Sequence, residues 1–127
     1  YPHNPTTWTD PLGLTPCPIK EAWVRKADFS NQKTVSKKFN AHAEDFGISG
    51  NWNNSNKAHF IQAMQRHMLS PDVKIYRFDY RGQGPAVGFV DPGGNLMVML
   101  RSDGRFWSGW RLGEAQFTGI VQRGRLN

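Results

Sequence analysis

The spacing of apolar residues changes at Pro71, and this change constrains the fold more than any other feature of the 127-residue sequence. Before Pro71, apolar side chains recur every three or four residues, which predicts helices. After it, they alternate in short runs bounded by turn residues, which predicts antiparallel strands. Helices followed by a meander of strands indicate an α+β domain. We therefore expect N-terminal helices packed on a four-stranded antiparallel sheet with a short C-terminal helix.

Three segments before Pro71 have helical spacing. Residues 20–27 fit a short helix, and residues 34–44 are a stronger prediction because their apolar side chains form one stripe. A third helix is expected over residues 56–69, which Pro71 would end. On this third helix, His59 and His67 are predicted to be surface residues.

Four runs after Pro71 resemble strands, at residues 73–81, 86–90, 96–101 and 105–112. The third run is apolar on both faces, so we expect it to lie inside the sheet. A final helix over residues 114–122 is expected to bury Phe117, Ile120 and Val121, and Gly124 is expected to end it.

The first 19 residues contain five prolines, which remove backbone donors and favour extended geometry in the residues before them. We therefore predict a linker over residues 1–19 and a folded domain over residues 20–127. The single cysteine, Cys17, excludes a disulfide scaffold and is expected to be a plain linker thiol. The chain begins without an initiator methionine or a signal-peptide pattern, so we expect it to be a piece of a longer protein. No apolar run has the length of a membrane-spanning helix.

The formal net charge of +6 favours an acidic partner. After Pro71 the chain holds seven arginines and one lysine, and Arg101, Arg105 and Arg111 lie on or beside the last two predicted strands. Trp107 and Trp110 are interleaved with them, a pattern that suits single-stranded or looped RNA, whose bases can stack on aromatic rings. Nucleic acid is the favoured partner. An acidic protein, or core tryptophans beneath a solvated basic surface, would fit the same pattern.

The sequence lacks the patterns of common metal and cofactor sites. Its four histidines and one cysteine have no metal-site spacing, and it has neither a phosphate-binding glycine loop nor a serine-hydrolase motif. Acid–base chemistry without a metal remains, and histidine suits it because its pKa lies near neutrality. His42 is the best placed, since Lys37 and Lys38 precede it by about one turn and Asp45 follows by one turn. An ordinary surface histidine on a charged helix is the alternative.

The segment Ser108-Gly109-Trp110 is unusual because glycine weakens a strand. One interpretation is a close approach by a ligand, with Ser108 donating to a phosphate and Trp110 stacking on a base. The other is a β-bulge beside a packed tryptophan.

The N-terminal segment NPTTWTDPLGL (residues 4–14) resembles the end of the core shell of Rhs and YD-repeat proteins, after which a variable toxin tip begins. The resemblance implies that residues 1–14 are a shell remnant. It further implies that the toxin leaves its producer as part of a larger Rhs-type protein and acts in the cytoplasm of a target cell.

Most of residues 30–127 resembles the catalytic domain of colicin D and related toxin tips. The segments that carry the resemblance are KKFNAHAEDFGI (37–48), YRG (80–82) and FWSGWR (106–111). The resemblance implies a metal-independent ribonuclease that cuts tRNA in the anticodon loop by transesterification, leaving a 2′,3′-cyclic phosphate and a 5′-hydroxyl. It also implies a monomer without a cofactor and a cognate immunity protein, typically acidic.

The resemblance also implies which residues form the site. The family's histidine matches His42, and the serine and tryptophan of its late strand match Ser108 and Trp110. Family lysines lie one and three positions before the histidine. This chain has one extra residue there, so Lys38 is the expected equivalent and Lys37 the second candidate. The residues expected to bind substrate are Lys37, Arg81, Arg101 and Arg111.

Three other functions stay open. A non-catalytic RNA- or DNA-binding module would bind in a salt-sensitive manner without cleavage. A DNase toxin is disfavoured by the lack of metal-ligand spacing. A toxin acting on protein or nucleotide substrates has no specific support in the sequence.

Overall fold

A computed structural model describes residues 17–126, without the side chains of Cys17 and Leu126. Its first part holds α1 (Cys17–Lys26), α2 (Gln32–His42), a 3₁₀ turn (Ala43–Phe46) and α3 (Asn54–Leu69). Its sheet is formed by β1 (Lys74–Tyr80), β2 (Pro85–Asp91), β3 (Leu96–Arg101) and β4 (Phe106–Arg111). It ends with α4 (Glu114–Thr118), a π-helical turn (Gly119–Arg123) and β5 (Arg125–Leu126). The proposed shell remnant lies outside the described residues.

The sheet confirms the predicted antiparallel meander. Its strand order is β4-β3-β2-β1-β5, and β1 to β4 pair in sequence order as antiparallel neighbours. The strand β3 is interior, as its apolar run predicted. The two-residue β5 pairs in parallel with β1 and was not predicted, because two residues carry no periodicity.

Helices α1 to α3 form the core with one face of the sheet, as the helical stripes predicted. Helix α2 buries Val35 and Phe39, and α3 buries Phe60, Met64 and Met68. Each of these two helices begins at an asparagine cap: Asn31 accepts from the Thr34 N–H at 3.2 Å, and Asn53 accepts from the Asn56 N–H at 2.7 Å. The caps satisfy orphan backbone donors and fix where each helix starts.

The opposite face of the sheet forms a second apolar cluster with the C-terminal segment. Its members include Phe78, Met97, Met99 and Trp107 from the strands and Ile120 from the π-helical turn. The prediction that Val121 is buried was wrong: it is 40% exposed. The wider π turn rotates successive side chains out of the α-helical register on which that prediction rested.

Two further predictions need correction. Helix α1 starts at Cys17, so residues 17–19 are helical rather than linker and Cys17 begins a helix. Pro18 is tolerated there because the first turn of a helix needs no backbone donor.

His67 is not the surface residue that was predicted, although His59 is exposed. His67 is half-buried, and its Nε2 lies 2.7 Å from the carbonyl oxygen of Phe89 on β2. Burial lowers the pKa of His67, although the Phe89 carbonyl opposes this. Among the described residues, none of the helices combines the length and apolarity needed to cross a membrane.

Candidate active site

Helix α2 presents Lys38 and His42 on one face because they are four residues apart. The adjacent stripe of Val35 and Phe39 is buried, which fixes the rotation of the helix about its axis. The helix packs beside the edge strand β4, so Lys38 and His42 lie at that edge of the sheet.

The 3₁₀ turn after α2 brings Asp45 back toward His42. The Oδ2 atom of Asp45 is 3.8 Å from His42 Nδ1 and accepts a 3.2 Å hydrogen bond from the backbone N–H of Arg111. One carboxylate therefore links the histidine on the helix to the end of β4. With Nδ1 facing this carboxylate, Nε2 is the ring nitrogen available to exchange a proton with a ligand.

Burial lowers the pKa of His42 below its usual value; Asp45 opposes this shift, and Lys38 adds to it. Because the net direction is downward, the imidazole is neutral near pH 7 and can accept a proton. The side chain is still 30% exposed, so a ligand can reach it from solvent.

Strand β4 contains a bulge next to the segment that the sequence singled out. Ser108 pairs with Met99 and Phe106 pairs with Leu100, so Trp107 is the extra residue. A bulge increases the local twist of a strand and redirects its side chains. The bulge therefore lies at Trp107, one residue before the segment in which the sequence suggested it.

Gly109 makes room for a protein side chain. A Cβ atom at Gly109 would lie 3.1 Å from Cζ of Phe46 and 3.2 Å from the carbonyl oxygen of Met97. Phe46, the neighbour of Asp45, approaches the backbone closely at this glycine. The glycine thus helps to bring the 3₁₀ turn against β4.

Three aromatic side chains, Tyr80, Trp107 and Trp110, form a group that we call the aromatic triad. The ring centroids of Tyr80 and Trp107 are 5.0 Å apart, and those of Tyr80 and Trp110 are 6.2 Å apart. Each ring of the triad has a basic residue beside it, and the two arginines are favourably placed for cation–π contacts. The three pairs are Arg101 over Trp107 (4.0 Å to the centroid), Arg81 over Tyr80 (5.2 Å), and His42 beside Trp110 (6.2 Å between centroids).

Lys38 completes a group that we call the cation cluster: Lys37, Lys38, Arg81 and Arg101. Burial lowers the pKa of Lys38, and the charges of Lys37 and Arg81 lower it further. Within residues 17–126, no member of the cluster forms an ion pair with an acidic side chain. A bound anion such as a phosphate would relieve this repulsion.

The remaining predicted site residues are placed differently. Ser108 is only 2% exposed, on the same face of β4 as Trp110. The Arg111 guanidinium donates to the carbonyl oxygen of Gly94 at 2.7 Å, so its side chain lies at the β2–β3 turn. The backbone N–H of Arg111 contacts the site through Asp45.

Two residues with a role in the site were not predicted. Tyr80 belongs to the triad, but the sequence marked it only as part of the YRG segment. Gln116 accepts from Trp110 Nε1 at 3.3 Å, and nothing in the sequence pointed to it. Among the described residues, no three His, Cys, Asp or Glu side chains are grouped so that they could hold a metal ion.

Comparisons with known proteins identify the family of this chain. The model of the Colicin D family matches residues 34–120. Colicin-D from Escherichia coli is 30% identical over 83 residues, which are 65% of this chain but only 12% of that relative. The chain therefore spans a small part of the curated relative that it matches.

A solved structure is also similar in fold. It is a ribonuclease from Escherichia coli complexed with its inhibitor protein, with a TM-score of 0.55 and 28% sequence identity. The similarity covers 71% of this chain and 89% of that one. Because the family match covers more than half of the chain and includes His42, Ser108 and Trp110, this chain belongs to the Colicin D family and is a colicin D-like toxin domain.

Proposed function

We propose that this domain is a metal-independent ribonuclease that cleaves tRNA in the anticodon loop. The observation that carries the proposal is the position of His42, whose pKa is lowered, against Trp110 and beside a cluster of cations without acidic partners. The similarity to a ribonuclease of Escherichia coli supports the same activity.

The proposed reaction is a transesterification. His42 Nε2 takes the proton of a 2′-hydroxyl, the 2′-oxygen attacks the neighbouring phosphorus, and the bond to the 5′-oxygen breaks. Lys38 and Arg81 stabilise the added negative charge on the phosphorane-like transition state. Lys38 is the proposed donor to the leaving 5′-oxygen, because a lysine with a lowered pKa is a stronger acid than usual.

The aromatic triad supports a looped RNA as the substrate. Bases in a loop are free to leave the stack and lie on aromatic rings, whereas bases inside a duplex are not. Trp110 is half-buried and touches His42, so a base stacked on it would lie beside the reacting phosphate. Ser108 is proposed as a nearly buried donor to that phosphate.

We also propose an acidic immunity protein that covers the cation cluster. The similar Escherichia coli ribonuclease was solved with an inhibitor protein, and the net charge of +6 here favours steering by an acidic partner. For delivery, the N-terminal motif supports export within a larger Rhs-type protein and action in the target-cell cytoplasm.

Mapping the products of total tRNA tests the substrate and the chemistry together. The proposal predicts fragments cut within the anticodon loop, with 2′,3′-cyclic phosphate ends that resist a phosphatase until the ring is opened by acid. Fragments ending in an open 3′-phosphate from the start would contradict transesterification. Salt-sensitive binding without any fragments would indicate a non-catalytic binding module.

A further inference from the structure

A polar cleft leads away from His42 along α2. Its volume is about 700 Å³, and the residues that line it include Asp28, Asn31, Lys37, Lys38, Arg101 and Trp107. His42, Ser108 and Trp110 do not line it. The cleft therefore starts at the lysines of the proposed site and extends beyond the place where the bond is cut.

The end of the cleft nearest His42 is cationic and open to an anion. Lys37 is exposed there, and Arg101 is exposed on the strand side of the cleft, with its guanidinium 4.0 Å from the ring centroid of Trp107. Neither has an acidic partner within the described part of the chain. Arg105, which also lines the cleft, is instead held by Asp103, with Nε 2.8 Å from Oδ2. The positive charge without an acidic partner is thus carried by Lys37, Lys38 and Arg101.

The other end of the cleft is acidic. Asp28 accepts a 2.9 Å hydrogen bond from the Ser30 N–H, and such bonds to Ser30 lower the pKa of this carboxyl, so it is charged at neutral pH. A carboxylate repels a phosphate but accepts hydrogen bonds from the amino group of a nucleobase. The two ends therefore match the two ends of a nucleotide.

We infer that this cleft binds the nucleotide next to the cleaved bond, with its phosphate between Lys37 and Arg101 and an amino-bearing base toward Asp28. This inference rests on the proposed function, because it needs an RNA cut at His42. The volume of the cleft lies within the range of sites that enclose small ligands. The site would then hold two successive phosphates, one cut beside Lys38 and one only bound.

The test uses an RNA hairpin that contains the mapped cut position. Two derivatives carry a neutral methylphosphonate in place of the phosphate immediately before or after the cut. Cleavage of all three RNAs is measured with the wild type, Arg101→Gln and Lys37→Gln. The matched control is Arg66→Gln, which removes one exposed positive charge from α3, outside the cleft.

Arg101→Gln and Lys37→Gln are each expected to raise KM roughly tenfold, as loss of a charge-assisted contact predicts, with a smaller change in kcat. One of the two methylphosphonates should raise the KM of the wild type by a similar factor. It should raise the KM of Arg101→Gln or Lys37→Gln only a little further, because the phosphate and both cations belong to one contact. Lys37→Gln also guards against misfolding of Arg101→Gln, whose side chain stacks on Trp107.

The inference would be overturned if the methylphosphonates and the charge substitutions raised KM independently, so that their effects multiplied at both flanking positions. Cleavage of RNA by the wild type would still support the proposed ribonuclease activity. An equal rise in KM in Arg66→Gln would also overturn the inference, because general attraction by the net charge of the domain would then explain the result. If the wild type cleaves no RNA, the proposed function fails and the inference fails with it.

Discussion

The ring of His42 lies beside the ring of Trp110, with the centroids 6.2 Å apart and the planes tilted by 34°. Trp110 is itself held by Gln116, through its Nε1 at 3.3 Å, and by the ring of Tyr80. The histidine is thus positioned by β4 as well as by its own helix. A catalytic group fixed by two elements keeps its reactive geometry more accurately than one fixed by a single helix.

Replacing Trp110 tests this contact. Trp110→Ala is expected to lower kcat/KM at least roughly tenfold, since it removes both a stacking surface for a base and the support of His42. Trp110→Phe keeps a ring and should recover most of the loss. Equal activity of Trp110→Ala and the wild type would show that the ring contact has no functional role.

Lys38 has two proposed tasks that two substitutions separate. Lys38→Met removes the charge and the acid, whereas Lys38→Arg keeps the charge but gives up its proton far less readily. We expect Lys38→Met to raise KM and lower kcat, and Lys38→Arg to lower kcat with little change in KM. Single-turnover kinetics on a purified tRNA measures both constants. Full kcat in Lys38→Arg would exclude Lys38 as the proton donor.

The pH dependence of cleavage reports the role of His42. Its pKa in the folded protein lies below the usual 6.5, so a general base loses activity as pH falls through that lowered value. We therefore expect kcat/KM, measured between about pH 5 and 8, to be flat near neutrality and to fall on the acid side below about 6.5. A rate that instead falls as pH rises through this range would make His42 the general acid.

The stability of the fold should depend on His67 in the same pH range. Its pKa is lowered by burial, so below the ordinary histidine value the unfolded chain binds more protons than the folded one. The contribution of His67 to the free energy of unfolding is therefore fully present above about pH 6.5, and it decreases as pH drops toward the pKa of the folded protein. Thermal melts at several pH values should show this fall in the wild type and a smaller fall in His67→Gln. This account would be contradicted if the melting temperature of His67→Gln fell with decreasing pH as steeply as that of the wild type.

Gly109 should resist the addition of a single methyl group. In Gly109→Ala, the new Cβ would crowd Phe46 and the backbone oxygen of Met97, at a cost of about 1–3 kcal/mol of unfolding free energy. Gly113→Ala is the matched control, because its Cβ would meet only Gln116 Oε1, at 3.7 Å. Urea denaturation of both variants measures the difference. Equal stability would mean that Phe46 moves aside freely.

Local periodicity predicted the parts of the fold that depend on nearby residues. The stripe through Val35 and Phe39 and the turns between β1 and β4 were recoverable because each is set within a few residues. Burial of His67 depends on a carbonyl 22 positions away, which no local pattern reveals. The π turn that exposes Val121 lacks a sequence signature of its own.

The candidate site was partly predictable for the same reason. Lys38, His42 and Asp45 are neighbours on one helical segment, so spacing alone placed them together. The contact of His42 with Trp110 joins residues more than 60 positions apart, and only the resemblance to a toxin family linked them before the structure did. The position of the Arg111 side chain at Gly94 depends on tertiary packing and could not be predicted.

Incubating total tRNA with this domain in EDTA, beside His42→Ala, tests the central claim most directly. The account predicts discrete half-length fragments on a denaturing gel with the wild type and none with the variant. A folding check of the variant by circular dichroism excludes loss of structure as the cause. Intact tRNA in both lanes, or equal cleavage in both, would contradict the claim that His42 carries metal-independent tRNA cleavage.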